Sequence, residues 1–572
     1  MRYKNLSITE LDKKYFKKNY LSLDGFNKQI KFKDYEYIYE KVLNKIIKFL
    51  NKSHNYKKDN LYWRIIIGPW LSSYIACFLD RLNTVDIFFK NKRTRNKYLI
   101  FDFKKKIDFK FKSCFEFAEI AKNYDEWNHK LFLKILKFRY PNKIKIINKI
   151  AFKKPKTREF RSNYFELSLI RFFLKIYFLL SKNIIFDFIP NKKNIFYFLL
   201  NFKNILSENM IKKLFPYYFE KLEIKTANEY LIYKNQFRQI KSIKKIKTID
   251  SLIYKSALEE IPSNYLENFI YLKKKCKNLK VKNKKIFSFS SQISSDFYKI
   301  WIAENKNSNK IFVFDHGGGL RAKDDCQVNH EEIISDKIYT WSNLKSIYLN
   351  SKQVSPYKII KLNNISNFKN QNNISIISPS VGKYVIWASS RPSLNQFNKD
   401  VNLIFSCHQK IKDEVIKKKM IIKLPFYSND YHYYKASVKF WKKNFINYFV
   451  NKIKFYKLEK QLEDLAKTSR LIILMSPQTT LSEVLITNTP FILLFKSNHW
   501  PLNSLHQKVL NKCKNLIYFD DAKKAALFLE KNYKNVDAWW SSKKIKNLRK
   551  YLKKNICNAK INWAQELKKI TS

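Results

Sequence analysis

The chain has 572 residues, 113 of them lysine or arginine and 47 aspartate or glutamate, for a formal net charge of +66. That length exceeds what one hydrophobic core organises, so two or three domains are expected, and 45% hydrophobic residues supply a sizeable core. Such a charge would usually suggest nucleic acid or an anionic membrane surface, but lysine runs such as 104–106, 273–275 and 417–419 are spread along the chain with no single basic block, which reads as a solvated lysine-rich surface.

From Tyr35 to Leu50 the pattern is helical, and Met1 to Tyr20 alternates charged and apolar residues with no signal-peptide core. Pro69 suits the first turn of a helix in which Leu71, Phe78 and Leu82 recur at helical spacing. Another helix begins near Asp125, a plausible N-cap, and carries Trp127, Leu131, Ile135 and Phe138 on one side. Lysine-rich helical segments are expected from Ile144 to Lys280. Within them, the apolar stretch from Phe165 to Pro190 is interrupted by Arg171, Lys175, Lys182 and Asp187. It reads as a core helix, with peripheral membrane contact as the alternative. The seven cysteines are far apart, without a CxxC or a zinc spacing, and read as reduced thiols of a cytoplasmic protein.

At Lys285 the texture changes. Short β-like runs at Ile286–Ser290, Ile311–Phe314 and Lys337–Trp341 enclose a helix-compatible segment at Asp296–Asn305, an alternation that predicts βαβ units and parallel sheets. The Asn/Ser-rich stretch from Asn363 to Ser380 is the expected linker. A second series then runs through strands at Lys383–Ala388, Met420–Leu424, Leu471–Met475 and Phe491–Phe495. The expected architecture is α/β: two Rossmann-like domains facing a cleft, with a helix-rich amino-terminal region. Its boundaries are 1–362, 381–545 and a helical tail at 546–572.

Three of the chain's six glycines, Gly317, Gly318 and Gly319, follow the strand ending at Phe314. Glycine is used where φ is positive or where something must approach the backbone closely, so this reads as a ligand-facing loop. His316 then emerges at the carboxyl end of a strand, where open α/β sheets bind ligands, and a neutral imidazole there suits general-base work or phosphate contact. Arg470 to Glu483 reads as strand, turn and helix start. Thr479 and Thr480 at a helix amino terminus are placed to bind phosphate, with Glu483 in reach of a ribose hydroxyl; equally, Thr480-x-x-Glu483 fits a capping box that needs no ligand. Arg391 is a candidate bidentate phosphate partner in a lysine-dominated chain, and His499 either borders a donor pocket or packs. Gly317-x-Gly319-x-x-Ala322, with Asp336 further on, also fits a dinucleotide pattern weakly, because that acid precedes the next strand instead of closing it.

Several segments in order resemble one family: Tyr62 to Leu71, Asp80-Arg81, Trp127-Asn128-His129, His316-Gly317-Gly318 with Asp336 and Trp341, Thr479-Thr480-x-x-Glu483 with Thr489-Pro490, Asn498-His499-Trp500, and Trp539-Trp540. Together they resemble the leptospiral-type bacterial transferases associated with surface-polysaccharide assembly, over about residues 60–545. Two features of that family are not seen here: an amino-terminal strand with a Gly-x-Trp motif before residue 60, and an arginine on the strand near Ile421, where Lys423-Leu424-Pro425-Phe426 stands instead. More distantly the chain is similar to GT-B glycosyltransferases. That resemblance implies a nucleotide-activated sugar as donor and a glycan or lipid-linked glycan as acceptor, with no cofactor, no metal and no specific nucleic acid. His316 would then be base or phosphate contact, and Thr479, Thr480 and Glu483 would hold the donor across an interdomain crevice, with Gly317, Gly318, Gly319, Arg391 and His499 counted among the donor and phosphate contacts. A basic nucleic-acid-binding protein is the leading alternative function and a dinucleotide oxidoreductase the third.

Overall fold

The computed structural model describes residues 3–16, 20–23, 30–91, 96–105, 107–152, 183–185, 205–206, 227–242, 246–277, 280–323, 326–343, 350–356, 372–379, 381–388, 391–424, 454–455, 462–557, 566 and 569–570. Most of the apolar stretch from Phe165 to Pro190, with its core-helix and membrane-contact readings, lies outside them. The chain forms two compact units. One takes Met1–Val313, Asn329–Asp336 and Tyr384–Ala388, and the other takes Phe314–Val328, Lys337–Lys383 and Ser389–Ser572.

In the first unit, β1 (Lys4–Ser7), β2 (Leu21–Ser22), β3 (Tyr98–Phe103) and β4 (Ile144–Ile150) form a parallel sheet in the order β2-β1-β3-β4. Two sequence expectations are corrected here. Strands do stand before residue 60, and Ile144–Ile150 is a strand where a helix was expected, its isoleucines pairing along the edge of β3. The same unit pairs β5 (Asn183–Ile185) with β6 (Ile205–Leu206) and with β7 (Lys285–Ser288), and β7 with β8 (Lys310–Phe314), all parallel.

The centre of this unit is the helix Asn60–Asn91, long and apolar enough to cross a membrane but almost wholly buried in protein. Pro69 lies inside it, not in its first turn, because apolar residues on every side reward continuing the helix past the lost hydrogen bond. Gly68 beside it is needed for packing: a Cβ there would stand 2.8 Å from His330 Nδ1. Farther along, Arg81 is fully buried and donates to Asp80, to Asn128 Oδ1 and to the Val385 carbonyl. His129 bonds Thr9 and the Phe101 carbonyl, and Trp127 donates to Glu260. Asp80, Arg81, Trp127, Asn128 and His129, which carried part of the family resemblance, therefore hold the core of the first unit together.

The second unit contains β9 (Lys337–Thr340) paired with β10 (Ser351–Gln353), and a six-stranded parallel sheet. The sheet consists of β11 (Asn373–Ile377), β12 (Met420–Lys423), β13 (Lys454–Phe455), β14 (Ser469–Leu474), β15 (Phe491–Leu494) and β16 (Tyr518–Phe519), in the order β13-β12-β11-β14-β15-β16. Its central strand β11 lies inside the expected linker. Conversely, Lys383–Ala388 is irregular, not a strand; Tyr384 is held by the Lys122 carbonyl and by Asp125 within the first unit.

The buried titrating groups set how stability varies with pH. Burial lowers His54, His129 and His506 to about 4 and His330 to about 3. These histidines take up protons on unfolding below their ordinary pKa near 6.5, so they destabilise the fold as pH falls from about 6.5 to about 4. Burial raises Asp12 and Asp80 to about 6, which acts oppositely between about 4 and 6, and burial raises Asp400 in the same direction. Four imidazoles outweigh three carboxyls. Calorimetric scans should show the unfolding temperature rising between pH 4 and pH 6.5; a flat or falling profile would contradict the neutral histidine assignments.

Candidate functional site

The sheet order of the second unit, read from β11 outward, runs one way through β12 and β13 and the other way through β14, β15 and β16. The chain reverses its winding between β11 and β14, and ligands of doubly wound sheets bind outside the carboxyl ends of the strands at this point. The segments that leave those ends are Ser378-Pro379 after β11 and Met475-Ser476-Pro477-Gln478 after β14, joined where the Met475 N–H donates to the Ile377 carbonyl at 3.3 Å. The latter segment opens the helix Thr479–Thr487.

Gln478 is the N-cap of that helix, and its side chain makes no capping hydrogen bond. Thr480 is thus the second helical residue, and the expected capping box with Glu483 does not form. Thr479 and Thr480 are half-buried at the helix start, where unpaired N–H groups and the helix dipole favour an anion. Glu483 is 9% exposed and lies deeper, near enough to Cys557 that its charge adds to burial in pushing that thiol up to about 12.

The glycine turn meets the start of this helix directly. A Cβ on Gly317 would lie 2.4 Å from Thr479 Oγ1, and one on Gly318 would lie 2.1 Å from Ser482 Oγ and 3.2 Å from Trp341. Gly319 has φ +76°, and its Cα faces the backbone of Pro477 and Gln478. Thr479 Oγ1 donates to the Gly318 carbonyl at 3.2 Å. The close approach that demands glycine is therefore made by the chain itself. This corrects two expectations: the turn is not an open ligand-facing loop, and it does not look at the threonines across a crevice, since both lie in the second unit in contact.

Side chains that the sequence did not flag lock the turn in place. Asp315 and Arg321, each 3% exposed, form an ion pair at 3.0 Å that closes it, and the Asp315 N–H donates to the Tyr339 carbonyl. Asn503 then donates to the Arg321 and Ala322 carbonyls. His316 stands half-buried at the carboxyl end of β8, as expected. The dinucleotide pattern fails on structure: after Gly319 the chain makes a short 3-10 turn, Leu320–Ala322, rather than a phosphate-binding helix. Asp336 instead holds the Ile311 N–H and Lys306.

Arg391 is half-buried two residues ahead of Ser393, which caps the helix Leu394–Lys410 through a box with Gln396; it does not follow a strand. That helix carries Asp400, 2% exposed, whose Oδ1 accepts from the Lys496 N–H and lies 2.8 Å from His499 Nδ1. His499 is thus anchored in the turn that follows β15. At the carboxyl end of β12, beside the end of β11, stands Lys423, whose carbonyl accepts from the Ser378 N–H. A cation does occupy the place where the family resemblance led one to expect arginine.

The profile described as LIC12162 family transferase matches residues 7–570. The chain belongs to the LIC12162 family of transferases. No curated protein matches. Among solved structures, this family member is similar to a UDP-forming alpha,alpha-trehalose-phosphate synthase from Burkholderia xenovorans, with a TM-score of 0.37 and 10% identity over 68% of this chain and 98% of that one. It is similar also to UDP-GlcNAc 2-epimerase from Neisseria meningitidis, with a TM-score of 0.35 and 10% identity over 68% and 98%. A third is MurG from Acinetobacter baumannii, with a TM-score of 0.33 and 11% identity over 68% and 99%.

Proposed function

We propose that this transferase moves a glycosyl group from a nucleotide-activated donor to a hydroxyl of a cell-envelope glycan, in a GT-B arrangement and in a cytoplasmic setting. The observation that carries the reading is the uncapped start of the Thr479–Thr487 helix at the winding reversal of a doubly wound parallel sheet. In this reading the donor phosphates lie on the N–H groups of Thr479 and Thr480, with Arg391 and Lys423 supplying charge as the phosphate departs. The acceptor hydroxyl attacks the anomeric carbon, the bond from that carbon to the phosphate oxygen breaks, and His316 takes the hydroxyl proton. Glu483, the glycine turn and His499 shape and anchor the same edge.

Thermal shift against nucleoside diphosphates and nucleotide sugars tests the donor site. A true ligand at a hundredfold its dissociation constant should stabilise the chain by about 2.7 kcal/mol. His316→Ala should keep that stabilisation and lose about 100-fold or more in transfer rate, the usual worth of a general base. Undiminished transfer by His316→Ala would remove its assigned role.

A further inference from the structure

In the first unit, a groove of about 720 Å3 opens at the carboxyl ends of β3 and β4, walled by the helices Asp125–Arg139, Ala227–Ser242 and Ile249–Glu260. That volume suits a small ligand, and the carboxyl edge of a parallel sheet is where such sheets bind one. Among the described residues, eight lysines and four carboxylates line it. Lys134 and Lys137 are paired with Glu259 and Asp102, so they are partly neutralised. Lys104, Lys105 and Lys241 are exposed and have no carboxylate partner among the described residues, and Lys241 lies 4.6 Å from the exposed ring of Phe237.

A second observation shows what the ligand must offer. Gln236 lines the groove at 8% exposure; its Nε2 donates to the Leu258 carbonyl, while its Oε1 has no partner among the described residues. A buried amide oxygen without a donor is costly, so a hydroxyl delivered there is rewarded. Carboxylates interspersed among the lysines also accept from hydroxyls, which an acidic sugar carries on every residue and a DNA strand does not.

We infer that this groove binds an acidic sugar, its carboxylate or phosphate groups on the unpaired lysines, its hydroxyls on Gln236 and the acidic side chains, and a pyranose face on Phe237. The inference rests on the glycosyl-transfer reading in assigning that sugar to the acceptor side. It is tested without donor, so its failure leaves the donor site standing.

Calorimetric titration of the full chain with hexameric oligogalacturonate should show saturable binding that a Lys105→Glu/Lys241→Glu variant weakens at least tenfold, with the unfolding temperature unchanged. Neutral maltohexaose and a six-nucleotide thymidine strand should bind at least tenfold more weakly than the acidic hexamer. Absence of oligogalacturonate binding, or equal binding by the charge-reversed variant, would overturn the inference. Equal binding of maltohexaose would remove the acidic requirement. Equal binding of the thymidine strand would make the groove a general polyanion surface and overturn it as well.

Discussion

Arg81→Met is expected to cost about 3–5 kcal/mol, the typical loss when one partner of a buried charge pair is removed. The guanidinium is fully buried and meets five groups at once: Asp80 at 3.0 Å, the Val385 carbonyl at 2.6 Å, Asn128 Oδ1 at 2.6 and 3.0 Å, the Ala121 carbonyl at 3.4 Å, and the face of Tyr384 at 5.1 Å from its centroid. Methionine fills much of the space but leaves the Asp80 carboxylate with no cation. Burial already raises that carboxyl to about 6 even with Arg81 opposing the shift. Against a total stability of roughly 5–15 kcal/mol, such a loss leaves the first unit marginal. Urea unfolding should show it as a shift in midpoint, and Asp80→Asn combined with Arg81→Met should recover part, because both charges are then gone. A loss below about 1 kcal/mol would mean the network is not the keystone of the first unit.

The second large effect concerns the glycine turn. Gly318→Ala places a methyl group 2.1 Å from Ser482 Oγ and 2.8 Å from Ser482 Cβ, inside contact distance, with Trp341 closing the other side at 3.2 Å. Overpacking of this kind costs about 1–3 kcal/mol, and here it also pushes the Thr479 helix away from the strand ends that position it. Ser482→Gly removes both clashing atoms, so the double variant should regain most of the loss; coupling on the order of 1 kcal/mol or more is the signature of direct contact. Ser482→Ala alone should be neutral or slightly stabilising, because its buried hydroxyl has no partner among the described residues. Additive effects of the Gly318 and Ser482 changes would place the turn elsewhere.

Much of the fold was legible from alternation. The helix Asp296–Asn305 and the strands at β7, β8, β9, β12, β14 and β15 stand where hydrophobic runs bounded by polar turns placed them. Strand β11 was hidden because it is only five residues long, Asn373–Ile377, between polar flanks that read as linker. Lys383–Ala388 misled in the opposite way: its apolar side chains pack, while the Tyr384 N–H and hydroxyl donate to the Lys122 carbonyl and to Asp125 and the Val385 carbonyl accepts from Arg81, and no ladder forms. At the site, the glycines announced that no Cβ was tolerated without saying what lies against them. That depends on β14 and its following turn arriving about 160 residues later in the chain, a contact no local pattern encodes. Asp400 was invisible for the same reason, since its partner His499 stands 99 residues later, whereas Asp315 and Arg321 are six residues apart and meet only because the glycine turn folds back between them.

The measurement that bears most directly on the donor site is nucleoside diphosphate binding by Thr480→Asp. An aspartate at the second position of a helix favours the helix through its dipole while placing a negative charge where the donor phosphates are assigned. Calorimetry should therefore find an unfolding temperature equal to or above that of the native chain, together with diphosphate affinity reduced about 100-fold or more. Retention of full diphosphate affinity by Thr480→Asp would show that the nucleotide lies elsewhere and would contradict the assignment.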